Sequence, residues 1–233
     1  MTILYSRNTI GLALAIFGAV LLTPDTLFMR LSELDGFSML VWRGGLSGIA
    51  YILIWIWFSL RVERRIPNIF TANFGVIVLC QMLNATLFSL AISIAPVTVV
   101  LIGVATVPIF AAILSRIILG EALSKLTIIT AILVMIGLYI SVLGQENSEI
   151  ELGATTLPGA ALGLGVAFSL AMNFTIIRKD KDVPFVLAIA IGAFMAAGLG
   201  ALCSEALYWP PLGNIAAIAP VSYTHLTLPT NDL

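Results

Sequence analysis

Charge is scarce in this chain. Its 233 residues include 11 Lys and Arg and 12 Asp and Glu, ten per cent in all, against 60 per cent hydrophobic residues and a mean hydropathy of +1.10. No water-soluble domain of this size tolerates that balance, so the composition indicates a polytopic helical membrane protein. No basic patch interleaves with aromatics, which leaves nucleic-acid binding without support. Histidine occurs once, as His225, and cysteine twice, as Cys80 and Cys203. Both cysteines fall inside apolar runs and read as small core hydrophobes rather than as a disulfide or a metal pair. The sequence also lacks a Walker phosphate loop, an HExxH pair, a GxSxG elbow and any cluster of Cys and His. An ATP-driven pump or an intramembrane hydrolase needs such machinery, so no enzyme activity, cofactor or metal is expected.

Long apolar runs are present instead. Seven stretches, near 9–29, 37–60, 70–93, 97–118, 126–143, 157–177 and 184–207, can each cross a bilayer of about 30 Å as a helix. The first, with Arg7 before it, outruns a signal-peptide core without a small-residue cleavage pattern, and is read as a retained span. Alternate connections carry Arg7; Arg61, Arg64 and Arg65; Arg116 and Lys125; and Arg178, Lys179 and Lys181. The opposite side has Arg30 and an acidic loop with Glu146, Glu149 and Glu151. Positive residues favour the cytoplasm, so the N-terminus is expected there, in the inner or plasma membrane.

The polar residues inside these runs are the candidate site. Asp25 is the one charge of the first stretch and Arg43 the one charge of the second, and each lies some 7–9 Å below the turn that joins them. A charge within a span costs roughly 2.5–3.5 kcal/mol, so such residues are paired, functional or both. Pro24 beside Asp25 frees the carbonyl of Val20 and adds a kink. A structural ion pair and a role in substrate or proton handling are both open. Gln81 and Asn84, three apart, share one face of the third stretch, either to hydrogen-bond across helices or to line a cavity. Trp55 and Trp57 read as interfacial anchors, and Glu121 and Glu205 as helix-end carboxylates. Rows of small residues, such as Gly44 with Gly48, Gly159 with Gly163 and Ala167, and Gly192 with Ala196 and Gly200, suit close helix packing, with a dimer interface as the alternative.

A shift of 148 residues superposes the first two stretches on the last two, pairing Gly11 with Gly159, Arg30 with Arg178, Phe37 with Phe185 and Gly44 with Gly192. The copies are offset by five stretches, an odd number, so the second must be inverted. In this register Asp25 meets Asn173 and Arg43 meets Ile191, so the charged pair is not duplicated.

The segment APVTVVLIGVATVPIFAAILSRIILGE, Ala95 to Glu121, resembles the most characteristic segment of EamA-type carriers of the drug/metabolite transporter superfamily. Pro108, Ala111, Arg116, Gly120 and Glu121 match in order, and the likeness extends over residues 9 to about 207. The resemblance implies an all-α transmembrane bundle of ten helices in two inverted five-helix repeats. It also implies a secondary transporter that moves small metabolites, such as amino acids or their derivatives, by exchange or with an ion gradient. On that pattern residues 1–143 form the first repeat, 144–207 an incomplete second repeat, and 208–233 a tail unlike any family helix. A truncated chain with a foreign tail is expected. Asp25, Arg43, Gln81 and Asn84 are then the substrate or coupling residues, Asp25 exchanging a proton or Arg43 holding a carboxylate. Membrane lipid, a small-molecule substrate and a proton or exchanged metabolite are the expected partners, and a homo-oligomer is left open. The competing readings are a non-transporting seven-span sensor or assembly factor, and an inactive transporter fragment.

Overall fold

Every regular element is a helix among the residues that the computed structural model describes, namely 29, 34–61, 69, 71–121, 125–143 and 156–204. The helices are α1 (Gly36–Arg61), α2 (Ala72–Ile94), α3 (Val97–Val104), α4 (Val107–Leu114), α5 (Lys125–Leu143), α6 (Thr156–Lys179) and α7 (Phe185–Cys203), with a π turn, Ser115–Leu119, continuing α4. Among the described residues five helical rods are long and apolar enough to cross a membrane: α1, α2, the run Val97–Leu119, α6 and α7. The chain is thus an integral membrane protein. The first apolar stretch with Pro24 and Asp25, the acidic loop and the segment from 205 onward lie outside the described residues.

Local chemistry sets the helix ends. The Asp35 carboxylate accepts from the N–H groups of Phe37 and Ser38, both at 3.1 Å, and so caps α1. Thr71 caps α2 by accepting from the Phe74 N–H at 3.2 Å. At the far end of α2, Ala95 precedes Pro96, whose ring drives it out of the helical region to φ −130°, ψ 159°. The chain turns there and re-enters as α3.

The fourth stretch forms one rod, Val97–Leu119, as expected from sequence, but it is not a regular helix throughout. Pro108 has no N–H for the Val104 carbonyl, and its ring crowds that carbonyl, so the helix breaks at Ala105-Thr106. Thr106 compensates in part, donating its hydroxyl to the Gly103 carbonyl at 2.6 Å. After the eight residues of α4 the helix widens into the π turn and stops at Gly120, which holds φ 69° and donates its N–H to the Ser115 carbonyl. That left-handed stop is the role for which glycine carries no steric penalty.

Contacts along the helices give their directions. Phe37 and Val41 approach Gly200, and Gly44 approaches Ala193 and Ala197, so α1 and α7 are antiparallel. Asn73 meets Asp180 and Gln81 meets Asn173, so α2 and α6 are antiparallel as well. Ala95 meets Gly159 and Gly103 meets Gly163, which makes α3 and α6 parallel. The small-residue rows are what allow this: a methyl group on Gly163 would lie 2.7 Å from the Val100 carbonyl oxygen, and one on Gly44 would lie 2.7 Å from that of Ala193. α6 and α7 scarcely touch each other; α6 packs on α2, α3 and α4, and α7 packs on α1 and α2. Helix α2 is therefore wedged between the last two helices.

The outer surface is apolar, with Leu53, Leu60, Ile117, Leu133, Ile140 and Leu202 exposed, as suits lipid rather than water. Cys80 is buried as read from the sequence, whereas Cys203 ends α7 exposed and is no core residue. Trp57 is exposed near the end of α1, edge-on to Phe58 with ring centroids 5.1 Å apart, in keeping with an interfacial anchor.

Candidate functional site

Two apolar clusters close the bundle at either end of a polar middle. One gathers Met39, Ile92, Ala95 and Val100, and the other Tyr51, Phe74, Ile77, Ile176 and Ile189. Along α1, Arg43 and Ser47 fall between Met39 and Tyr51; along α2, Gln81 and Asn84 fall between Ile77 and Ile92. The sequence order of two antiparallel helices thus puts all four at one depth.

There they line a narrow cavity together with Leu40, Gly44, Tyr51 and Ala85, with about 10 Å³ open to the centre of a water molecule, room for roughly one water. Three of the four residues singled out from sequence, Arg43, Gln81 and Asn84, are brought together here. The fourth, Asp25, lies outside the described residues. Arg43 is 5 per cent exposed, and its guanidinium carbon sits 5.1 Å from the centre of the Phe88 ring, a cation–π contact that offsets part of the cost of burial. Ser47, one turn on, donates to the Arg43 carbonyl at 2.6 Å and so adds no competing donor of its own to the cavity. Asn84 is buried and makes no hydrogen bond to any described residue, which leaves its amide to whatever enters.

Gln81 is held from both late helices. On the α6 side, Asn173 Nδ2 donates to Gln81 Oε1 at 3.5 Å. On the α7 side, a methyl group on Gly192 would lie 2.8 Å from Gln81 Cβ, so only glycine leaves the glutamine its place. Asn173 was not among the site residues read from sequence, although it is the one amide of its apolar stretch. Ser47 and Tyr51 were also missed, because hydroxyls are common in helices and carry no signal alone.

The motif residues gather elsewhere, at the end of the bundle opposite Gly36. Arg178, near the end of α6, donates through Nη2 to both carboxylate oxygens of Glu121 at 2.9 and 2.8 Å, and through Nη1 to Ser115 Oγ at 3.3 Å. The Ser115 carbonyl in turn receives the Gly120 N–H, so the π turn, its glycine stop and Glu121 form one unit grasped by α6. Glu121, read from sequence as a helix-end carboxylate and a motif residue, is half exposed and paired. Two residues further, Asp180 accepts from Asn73 Nδ2 at 2.7 Å. Arg116 is exposed beside this unit, and Pro108 lies at the helix break.

No group of three or more metal-binding side chains occurs among the described residues. The cavity gathers one guanidinium and two amides, groups whose N–H donors suit an anion. The model of the EamA-like transporter family matches residues 7–143. No curated protein matches the chain.

Proposed function

The chain belongs to the EamA-like transporter family, a family of membrane transporters of small molecules, and from that premise we propose that it is a secondary carrier of small carboxylate-bearing metabolites, such as amino acids or their derivatives. The observation that carries the proposal is the buried Arg43 guanidinium in a mid-bundle cavity with Gln81 and Asn84. A guanidinium presents paired donors that match a carboxylate, and in a nearly dry site that match is worth more than in water.

Asp25, the one charge of the first apolar stretch in the sequence, would exchange the coupling proton or hold the counter-charge when the cavity is empty. The end of the bundle with Arg61, Lys125, Arg178 and Lys179 would face the cytoplasm of a cell whose inner or plasma membrane holds the protein, since positive residues concentrate there. In the same scheme residues 1–143 are the first repeat and 144–207 an incomplete, inverted second repeat. The antiparallel run of α1 and α7, which pair Gly44 with Gly192 in the sequence register, supports that reading.

Purified chain in proteoliposomes, given radiolabelled amino acids and simple carboxylates with and without a proton gradient, provides the test. Replacing Arg43 with Gln should lower the transport rate about ten- to hundredfold, the range for one charged hydrogen-bonding group. Asp25→Asn should abolish gradient-driven uptake. Undiminished carboxylate transport by the Arg43 variant would refute the proposal.

A further inference from the structure

Gln81 and Asn173 face each other from α2 and α6 at the edge of the cavity. Asn173 is buried; its Nδ2 donates to Gln81 Oε1, and its Oδ1 has no hydrogen-bond partner among the described residues. Two facing amides can be joined in either of two ways. When Asn173 donates, the Gln81 NH2 is released from the pair and is free to serve the cavity as a donor. When Gln81 donates to the otherwise unpartnered Asn173 Oδ1, the Gln81 carbonyl oxygen is released instead and becomes an acceptor. Gln81 lines the same cavity as Arg43, so the direction of this one hydrogen bond changes what a ligand meets. A donor beside a guanidinium reinforces its hold on a carboxylate, whereas an acceptor there competes for the guanidinium.

We propose that Asn173 is a positioning residue of the cavity: by donating to Gln81 it keeps the Gln81 NH2 available to a carboxylate, so that a helix of the second half sets the anion preference of a site built on the first. This rests on the carboxylate reading of Arg43. A residue that merely joined α2 to α6 would contribute to stability without acting on ligand charge.

The test uses the full chain in liposomes with Cys80→Ala, Ser47→Cys as a reporter in the cavity wall, and Cys203 retained as an exposed reference. The probes are iodoacetate and iodoacetamide, alike in size and leaving group and different in charge. Their rates at residue 47, normalised to Cys203 and read by peptide mass spectrometry, give an acetate-to-acetamide preference. The preference should exceed one and vanish in Arg43→Gln. Asn173→Leu, which is neutral, should lower it about fivefold, the effect of losing one neutral hydrogen bond, and should lower it no further when combined with Gln81→Leu. Asn173→Ser, too short to reach Gln81, should behave like Asn173→Leu and covers the case in which leucine prevents folding. A preference that survives both Asn173 variants, or one that falls additively with Gln81→Leu, overturns the assignment of Asn173 while leaving the role of Arg43 intact. A parent preference of one, unchanged by Arg43→Gln, overturns the carboxylate reading and the positioning role together.

Discussion

Among the described residues Arg43 is the one charged side chain that is buried. Part of its tolerance there follows from a group that a single position in a sequence does not display, the Phe88 face, and it shares a cavity that admits about one water with the amides of α2. At the rim the opposite case holds. Burial raises the pKa of the Asp35 carboxyl, but the nearby Ser38 side chain and the N–H groups of Ser38 and Phe37 lower it more, so it titrates below its ordinary value of 3.8. A carboxyl held lower in the folded state stabilises that state at pH above its unfolded value and loses the contribution as pH falls through the folded one. Asp35→Asn should therefore lower the thermal midpoint slightly at pH 7, and the gap between variant and parent should close as the pH is taken below about 4. The effect is expected to be small because the carboxyl is mostly exposed. Paired melting curves from pH 7 to 3 measure it, and a gap that widened in acid would contradict the cap.

At the scale of elements, six of the seven apolar stretches correspond to described helical segments, with ends displaced by at most two residues except at the last, where α7 stops at Cys203, four short of the expected end. Their legibility has a simple physical origin, because lipid offers no hydrogen bonds and every spanning segment must satisfy its own backbone as a helix. What could not be read is where a helix deviates. Pro108 was visible as a motif residue, yet whether a membrane proline kinks, breaks or merely bends a helix depends on neighbours such as Thr106 that take up the released carbonyls. The π turn was invisible, since nothing in SRIIL distinguishes it from a regular turn until Gly120 stops the helix and Arg178 grasps the turn from α6. Two substitutions to the same residue should separate local conformation from packing. Gly120→Ala forces a Cβ into a left-handed residue and should cost about 1 kcal/mol. Gly75→Ala, in a regular turn of α2 with open space around it, should stabilise by roughly 0.5–1 kcal/mol. Thermal midpoints in one detergent decide the matter, and equal shifts of the two variants would show that the π turn imposes no backbone demand.

At the scale of the whole molecule, the arrangement of α6 and α7 around α2 determines how the early and late helices depend on each other. Neither late helix leans on its sequence neighbour; each buries its small-residue row against the early helices, where Gly163 meets Val100 and Gly103, and Gly192 meets Val78 and Gln81. The polar links Arg178–Glu121 and Asn73–Asp180 lie at one end of this interface and are more exposed. Magnitudes separate the two kinds of contact. A half-exposed ion pair is worth about 0–1 kcal/mol after screening by solvent, whereas overpacking a tight core contact costs typically 1–3 kcal/mol and often more where the obstructing atom is backbone. Cutting the chain between Gln145 and Glu149 and co-expressing the two pieces should therefore give fragments that purify together in detergent. Gly163→Leu, whose side chain would run into the Val100 carbonyl, should abolish recovery of the second piece with the first. Glu121→Gln should leave it within a factor of about five of the parent. If the ion-pair variant separated the pieces and the glycine variant did not, the interface would be held by charge at its rim, and the close approach of α6 to α3 would have no part in joining the pieces.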